Sequence, residues 1–342
     1  MEKIIVTGGA GFIGSHTVVE LLKAGFEPII VDNFINSHHS VIQGLQKITG
    51  RITKHYEVDC NDKEAFSKVF EIEKKISGVI HFAAYKAVGE SVQNPLKYYY
   101  NNLNSLIVLL EVMQKYKTKN LVFSSSCTVY GQPDKLPVNE ETPVLKANSP
   151  YGNTKQICEE ILQDATISGI PVRTISLRYF NPVGAHPTAH IGELPIGTPN
   201  NLVPYITQTA AGLRSKLTVF GGDYNTKDGT CVRDFIHVVD LANAHVKAFE
   251  LLAKQNADSY YEVFNVGTGA GNTVLEVIGA FEKVSGQKLN YAIGPRRDGD
   301  VEQIYAEVKK AEEILKWKAE LSLEDSLRDA WRWQKTLPNK VL

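Results

Sequence analysis

Along the first 180 residues, short runs of apolar and β-branched residues alternate with longer stretches whose apolar positions recur at helical spacing. Lys3–Thr7 (KIIVT) predicts a buried strand, and 12–24 a helix closed by Gly25, where a left-handed cap favours glycine. Glu27–Asp32, 52–58, 78–82, Asn120–Ser124 and 172–177 are further strand candidates, with helical patterns over 62–73, 98–116 and 151–167. Such alternation implies an α/β fold with a parallel sheet covered by helices on both faces. Right-handed crossovers make it doubly wound. After Tyr179 the rhythm breaks. The stretch 181–201 is dense in Pro, Gly, His and Asn and predicts a long ordered loop, a kind that is usually functional. Shorter helical patterns follow at 202–212, 239–254, 274–284 and Leu323–Gln334, the last opened by Ser322 and Asp325 in a capping-box-like start. No internal repeat or charge block interrupts the chain. The expectation is a regular sheet domain with a smaller mixed α/β cap and no clean linker between them.

Composition narrows the function classes. A chain of 342 residues suits two structural units at about 150 residues each. Lys+Arg 37 against Asp+Glu 38 leaves a net charge of -1, which argues against a nucleic-acid-binding surface. No run of ~18 apolar residues offers a membrane span. The first strand pattern starts at Lys3 without a basic and apolar leader pattern, so no secretory signal is expected. Cys60, Cys127, Cys158 and Cys231 show no C-x-x-C spacing, so reduced thiols and a cytoplasmic location are expected.

Two local motifs carry chemistry. Between the first strand and helix, glycines at 8, 11 and 14 give the spacing G-x-x-G-x-x-G. A turn without side chains lets the backbone approach a pyrophosphate, which then rests on the helix N-terminal amides. Asp32 ends the second strand, where a carboxylate would bond ribose hydroxyls and repel a 2′-phosphate, favouring NAD over NADP. An ordinary glycine-rich turn is the plainer alternative, but strand, motif, helix and acid stand in register. The second motif is Ser149-Pro150-Tyr151-Gly152-Asn153-Thr154-Lys155. Ser149 suits an N-cap and Pro150 the first helical position, which stacks Tyr151 and Lys155 on one face. A phenol titrating near 10 is a poor base at neutrality, but a neighbouring ammonium and a cationic nicotinamide would both favour phenolate. Ser126 follows the fifth strand at the sheet edge where open α/β sheets bind ligands, and could orient a sugar hydroxyl.

Other residues read plainly. His38 with His39, and His186 with His190, lack carboxylate or cysteine partners, so no metal is expected. His81 in a buried strand reads as a satisfied core histidine, and Trp317, Trp331 and Trp333 as C-terminal packing.

The blocks VTGGAGFIGSHT from Val6, HFAAYKAVGESVQNPLKYY from His81, SSSCTVYG from Ser124, SPYGNTK from Ser149, LRYFNPVGAHP from Leu177, PNNLVPYI from Pro199 and VRDFIHVVDLA from Val232 cover nearly the whole chain. With them the sequence resembles the extended short-chain dehydrogenase/reductase family and, more narrowly, its UDP-glucose 4-epimerase branch. The resemblance implies a Rossmann NAD-binding domain over 1–180, with about 236–266 returning to it, and a UDP-sugar-binding domain over 181–235 and 267–342. It implies that Tyr151 takes the proton of the sugar 4′-hydroxyl, that Lys155 lowers the phenol pKa and holds the nicotinamide ribose, and that Ser126 positions the 4′-oxygen. NAD contacts are implied for Gly8, Gly11, Phe12, Ile13 and Gly14, for Asp32, Asn33, Asn36 and Ser37, and for Asp59 and Cys60 around the adenine. Phe82, Ala83, Ala84, Lys86, Asn101, Tyr151, Lys155 and Phe180 complete that side. UDP-sugar contacts are implied for Ser126, Tyr151, Asn181, Asn200, Asn201, Leu202, Val219, Phe220, Arg233 and Arg297, with Ile304 facing the sugar C2 substituent. A homodimer through the helices 98–116 and 151–167 is also implied. Two positions depart from the family pattern: Ala84 where many members have Gly, and Phe235 where many have Tyr.

Two rivals remain to be weighed. A nucleotide-sugar dehydratase needs an acid and a base after the hydroxyl residue, where this chain has Cys127 and Thr128. A non-catalytic NAD-sensing regulator would have no use for Ser126, Tyr151 and Lys155 together.

Overall fold

The computed structural model describes residues 1–297 and 300–338. Asp298 and Gly299, which help set the sequence register leading to Ile304, lie outside the described residues. β1 (Lys3–Thr7) runs through the glycine turn into α1 (Phe12–Lys23), followed by β2 (Glu27–Asp32), α2 (Ser40–Thr49), β3 (His55–Glu57) and α3 (Lys63–Glu73). β4 (Ile76–His81), α4 (Val88–Gln93), α5 (Pro95–Lys115), β5 (Asn120–Ser124), α6 (Pro150–Ile167) and β6 (Arg173–Tyr179) continue the alternation.

Beyond β6 come β7 (Asn181–Val183), α7 (Leu202–Ala210), β8 (Leu217–Phe220), β9 (Val232–Arg233), β10 (Phe235–His237), α8 (Val238–Ala253) and β11 (Tyr260–Val266). The chain then forms β12 (Asn272–Thr273), α9 (Val274–Ser285), β13 (Tyr291–Gly294), β14 (Gln303–Ile304) and α10 (Leu323–Gln334).

The central sheet has seven strands in the order β11-β6-β5-β4-β1-β2-β3. Every pairing in it is parallel. The chain winds outward from β1 to β3, then returns to β1's other side with β4, so the switch point lies between β1 and β4. Alternate side chains serve opposite faces of the sheet. Ile4, Val6 and Ile30 pack with Leu21 of α1 and Leu241 and Phe249 of α8. Ile5, Ile29 and Val31 pack on the other side with Phe66 of α3, Leu109 of α5 and Leu162 of α6. A third core, with Val219, Ile206, Phe281 and Leu327, joins β8, α7, α9 and α10 in the smaller part of the molecule.

The doubly wound fold is as the hydrophobic pattern predicts, with local differences. β3 is shorter than 52–58 because only His55–Glu57 pairs with β2, while Ile52 stays exposed. α5 starts earlier than 98, since Pro95 occupies its first turn, where a missing N–H costs nothing. α2, α4 and β11 have no counterpart among the predicted elements. The stretch 181–201 is largely irregular, holding β7 and a single bridge between Ala185 and Gly192. At α10 the capping box forms: Ser322 Oγ accepts from the Asp325 N–H and Asp325 accepts from the Ser322 N–H, both at 3.1 Å. Among the described residues, no helix is long and apolar enough to cross a membrane.

Candidate active site

The glycine turn is a cradle that side chains would fill. Gly8 has φ +66, and a Cβ there would lie 2.9 Å from the Ala83 nitrogen. A Cβ on Gly14 would lie 2.3 Å from the Gly8 carbonyl oxygen. Gly11 is the N-cap of α1 and has no side chain to cap it, so the first-turn amides at Phe12, Ile13 and Gly14 remain open to an anion. Asp32 closes the cradle. Its Oδ2 accepts from Ala10 N at 3.0 Å, and its Oδ1 accepts from Phe34 N and Ser37 Oγ, both at 2.9 Å. Asn33 donates to Asp59 Oδ2 at 3.2 Å, which brings the ends of β2 and β3 together. Asn36 is exposed and Cys60 buried. These residues fit a dinucleotide: a bulk-free turn, open amides for a diphosphate, and a carboxylate at the end of β2.

Phe82, Ala83 and Ala84 lie half-buried just past β4, with Phe82 N bonded to Thr7 O at 3.0 Å beside the glycine turn. Asn101 on α5 accepts from Asn61 Nδ2 at 3.1 Å. Phe180 is buried against Cys127, Val129 and Ile304.

The candidate reacting groups Ser126, Tyr151 and Lys155 lie around the C-terminal end of β5. Ser149 caps α6 by accepting from Gly152 N at 3.1 Å, and Pro150 starts the helix, as the sequence predicts. Tyr151 is buried, which pushes its phenol well above the ordinary range; the neighbouring Tyr179 adds to this, while the nearby Ser126 hydroxyl works against it. Ser126 Oγ also accepts from Thr128 N at 3.2 Å, starting a short 3₁₀ turn over Cys127–Tyr130.

Lys155 is buried and held by the end of β5. Its Nζ donates to the Ser124 carbonyl at 2.6 Å and lies 4.8 Å from the centre of the Phe123 ring. Burial lowers its pKa to about 8, against the pull of Cys158 and Glu159. In the chain alone, desolvation therefore outweighs any help Lys155 gives the phenol. His81 is a core histidine, bonded to Thr7 Oγ1 at 2.8 Å and lowered to about 3 by burial. Among the described residues, no group of three or more His, Cys, Asp or Glu could hold a metal ion.

Arg233 and Arg297 share one carboxylate that the sequence did not single out. Arg297 Nη2 donates to Asp300 Oδ1 at 2.7 Å, and Arg233 Nη2 lies 3.8 Å from the same oxygen. The Arg297 guanidinium also sits 5.6 Å over the half-exposed Phe220 ring. The Val219 side chain is buried in the third core, leaving only its backbone for a ligand. Asn200 and Asn201 are exposed before Leu202, which opens α7, and Asn181 is half-buried on β7. A second unforeseen residue is Glu193, whose Oε1 accepts from Asn201 Nδ2 at 2.6 Å and from Lys86 Nζ at 3.4 Å. It links Lys86, which the resemblance assigns to the cofactor, to Asn201, which it assigns to the UDP-sugar.

Ile304 on β14 pairs with Arg233 and is buried with Phe180 and Cys127, whereas Tyr305 packs against Gly271. Phe235 is buried in the third core.

A glycine cradle with an acid at the second strand, and a Ser, Tyr and Lys gathered at the fifth, define a nucleotide-dependent enzyme of the dehydrogenase-like class. The chain belongs to the NAD dependent epimerase/dehydratase family, whose model matches residues 4–267. Within that family it stands with the UDP-glucose 4-epimerases. It is 51% identical over 341 residues to UDP-glucose 4-epimerase 2 of Arabidopsis thaliana, covering 98% of this chain and 96% of that one. The crystal structure of UDP-glucose 4-epimerase from Bifidobacterium longum in complex with NAD+ and UDP superposes with a TM-score of 0.94 at 47% identity, covering 98% of this chain and 99% of that one. The UDP-Glc/GlcNAc 4-epimerase of Campylobacter jejuni is more distant, with a TM-score of 0.83 at 37% identity over 98% of this chain and 100% of that one.

Proposed function

We propose that the protein interconverts UDP-galactose and UDP-glucose through transient oxidation at C4 of the sugar. The observation that supports this reading is the packing of α6, which carries Tyr151 and Lys155, on the end of β5 and the turn that Ser126 caps: Lys155 bonds Ser124 O, Gln156 bonds Val129 O, and Gly152 lies against Thr128. NAD supplies the hydride acceptor and donor when bound, held by the amides of α1 and by Asp32. Tyr151 takes the proton of the 4′-hydroxyl as the C4 hydrogen leaves as hydride, and Ser126 holds the 4′-oxygen. The resulting 4-keto sugar turns about its link to the diphosphate and presents its other face. Hydride then returns to C4 and Tyr151 returns the proton to the oxygen, inverting the centre with no net redox change.

Arg233 and Arg297 suit the diphosphate, because planar guanidinium forks pair bidentately with its oxygens. Strong UDP anchoring with weak sugar contacts lets the intermediate rotate without escaping. Asp300, which occupies both arginines in the chain alone, is then a competitor that the diphosphate displaces.

The dehydratase reading lacks its acid and base. Burial pushes the Cys127 thiol up to about 12, so it stays neutral, and Thr128 has no titratable proton in range. Incubation with UDP-galactose separates the readings: UDP-glucose supports the epimerase, a 4-keto-6-deoxy sugar the dehydratase, and no turnover a non-catalytic regulator.

The reading extends to acetylated sugars. Ile304 is branched close to its backbone and does not reach as far as a tyrosine ring, so UDP-N-acetylgalactosamine is also a substrate, turned over less efficiently. The protein works as a cytoplasmic homodimer in this account. α5 and α6 pack on each other, and Leu96, Tyr100 and Ile107 of α5 and Ile167 of α6 are exposed apolar positions suited to a second copy. Sedimentation at micromolar concentration checks the dimer.

A further inference from the structure

Tyr151, Lys155 and Glu159 form a stripe on α6 at i, i+4 and i+8. Each meets one of three consecutive serines at the end of β5. The Ser126 hydroxyl lies near the Tyr151 phenol, the Ser124 carbonyl accepts from Lys155, and Ser125 Oγ donates to Glu159 Oε1 at 2.5 Å. The first two contacts belong to the reacting groups. The third has no part in the chemistry proposed above.

Glu159 is buried and so is its partner, Arg178 of β6. The guanidinium reaches it with two nitrogens, Nη2 to Oε2 at 2.6 Å and Nε to Oε1 at 3.0 Å. A buried pair of this kind stands only with fixed geometry and its remaining valences satisfied. Here they are: Ser125 takes one carboxylate lone pair, and Arg178 Nη1 donates to Tyr130 Oη at 3.2 Å. Ser125 and Tyr130 flank Ser126 on its two sides. The ion pair therefore holds the chain both before and after that residue.

We infer that Glu159, locked by Ser125 and Arg178, is a positioning residue for the reaction: it fixes the end of β5 on α6 and so sets Ser126 and Lys155 relative to Tyr151. This rests on the epimerase reading. The lock also has an electrostatic side. The groups that bear on the Lys155 ammonium are Cys158 and Glu159 on its own helix and His81 on β4, which the ammonium affects in turn. Burial keeps Cys158 neutral, with its thiol pushed up to about 12, and His81 neutral, lowered to about 3. Glu159 is the anion of the set, opposed by Arg178 on its far side.

The test compares Ser125→Ala and Glu159→Gln with the wild-type holoenzyme, measuring kcat and KM for UDP-galactose, the pH profile of kcat, thermal midpoint and acid-released nucleotide. Ser125→Ala removes one hydroxyl and leaves the ion pair intact. It is expected to lower kcat by roughly tenfold or more, as sub-ångström misplacement of a reacting group does, with KM and nucleotide content unchanged. Glu159→Gln is expected to lower kcat further and to move the alkaline limb of the profile to lower pH, because the ammonium loses its nearby anion. If Glu159→Gln does not fold, Ser125→Ala decides alone. A Ser125→Ala enzyme with wild-type kcat, even at a lower thermal midpoint, makes the lock merely structural and overturns the inference. Failure of the wild type to convert UDP-galactose in the same assay overturns the epimerase reading, and this one with it.

Discussion

Lys155 Nζ bonds the carbonyl oxygen of Ser124 at 2.6 Å, two residues before Ser126, whose hydroxyl lies near the Tyr151 phenol. The ammonium is thus anchored on the backbone of β5, four residues along α6 from the phenol it was expected to acidify. Burial instead holds the phenol protonated. In the proposed reaction, a bound cationic nicotinamide would add the positive charge that favours phenolate at Tyr151.

The first prediction follows from that sign. A phenol whose pKa is raised by burial stays neutral through the physiological range and is available as a base only when a cation arrives. Ultraviolet difference titration of wild type against Tyr151→Phe is expected to show no Tyr151 phenolate below pH ~10 in nucleotide-free protein. The phenolate signal should appear at lower pH once NAD is added. Equal titration with and without NAD contradicts the account.

Tyr151→Phe itself should fold normally and retain nucleotide, since it removes one hydroxyl at the end of the site. Its activity is expected to fall by ~10²–10⁴, the usual worth of a general base. Steady-state assay beside acid release of the nucleotide checks both halves. A loss of less than about tenfold assigns the proton to another group.

Gly14→Ala addresses the cradle. The new methyl would lie 2.3 Å from the Gly8 carbonyl and 2.8 Å from Gly9 Cα, both backbone atoms that cannot swing aside. Overpacking of this kind costs ~1–3 kcal/mol, and here it also displaces the turn that would hold the diphosphate. A lower thermal midpoint together with loss of bound NAD is expected. Gly286→Ala is the wrong comparison, because φ +70 strains any side chain there; Gly279→Ala, with nothing within 4 Å, is the neutral control.

In the proposed function, sugar selectivity would turn on Ile304, which is buried beside Phe180 and Cys127 while Tyr305 leans on Gly271. The ratio of kcat/KM for UDP-galactose to that for UDP-N-acetylgalactosamine is expected to reflect a mismatch of ~1–3 kcal/mol, and Ile304→Tyr should widen it. An unchanged ratio in the variant removes Ile304 from the gate.

What was legible in the sequence was local. The glycine spacing, the acid at the end of β2, the Ser149 cap and the i, i+4 pair of Tyr151 and Lys155 all lie within a strand–turn–helix unit or a helical turn. The unbroken apolar runs in β1, β2 and β5 were equally readable, because both faces of a parallel sheet are buried. Contacts between distant segments were not. Asp300 gathers Arg233 from 67 positions away, as the residue numbers show, and Glu193 ties Lys86 to Asn201. β11 escaped notice because Tyr260, Tyr261 and Glu262 are only half-buried at the sheet's edge, which breaks the apolar run expected of a central strand. The direction taken by Lys155 was hidden for a related reason: helical spacing gives the face of a residue, while the acceptor at the end of β5 decides where its ammonium stops.

The central claim is that hydrogen leaves C4 of the sugar and returns to the same carbon within one turnover. Supplying UDP-galactose deuterated at C4, with no free nicotinamide added, tests it directly. The account predicts UDP-glucose that keeps its deuterium at C4. Product that has lost the label to solvent, or the absence of any UDP-glucose, would contradict it.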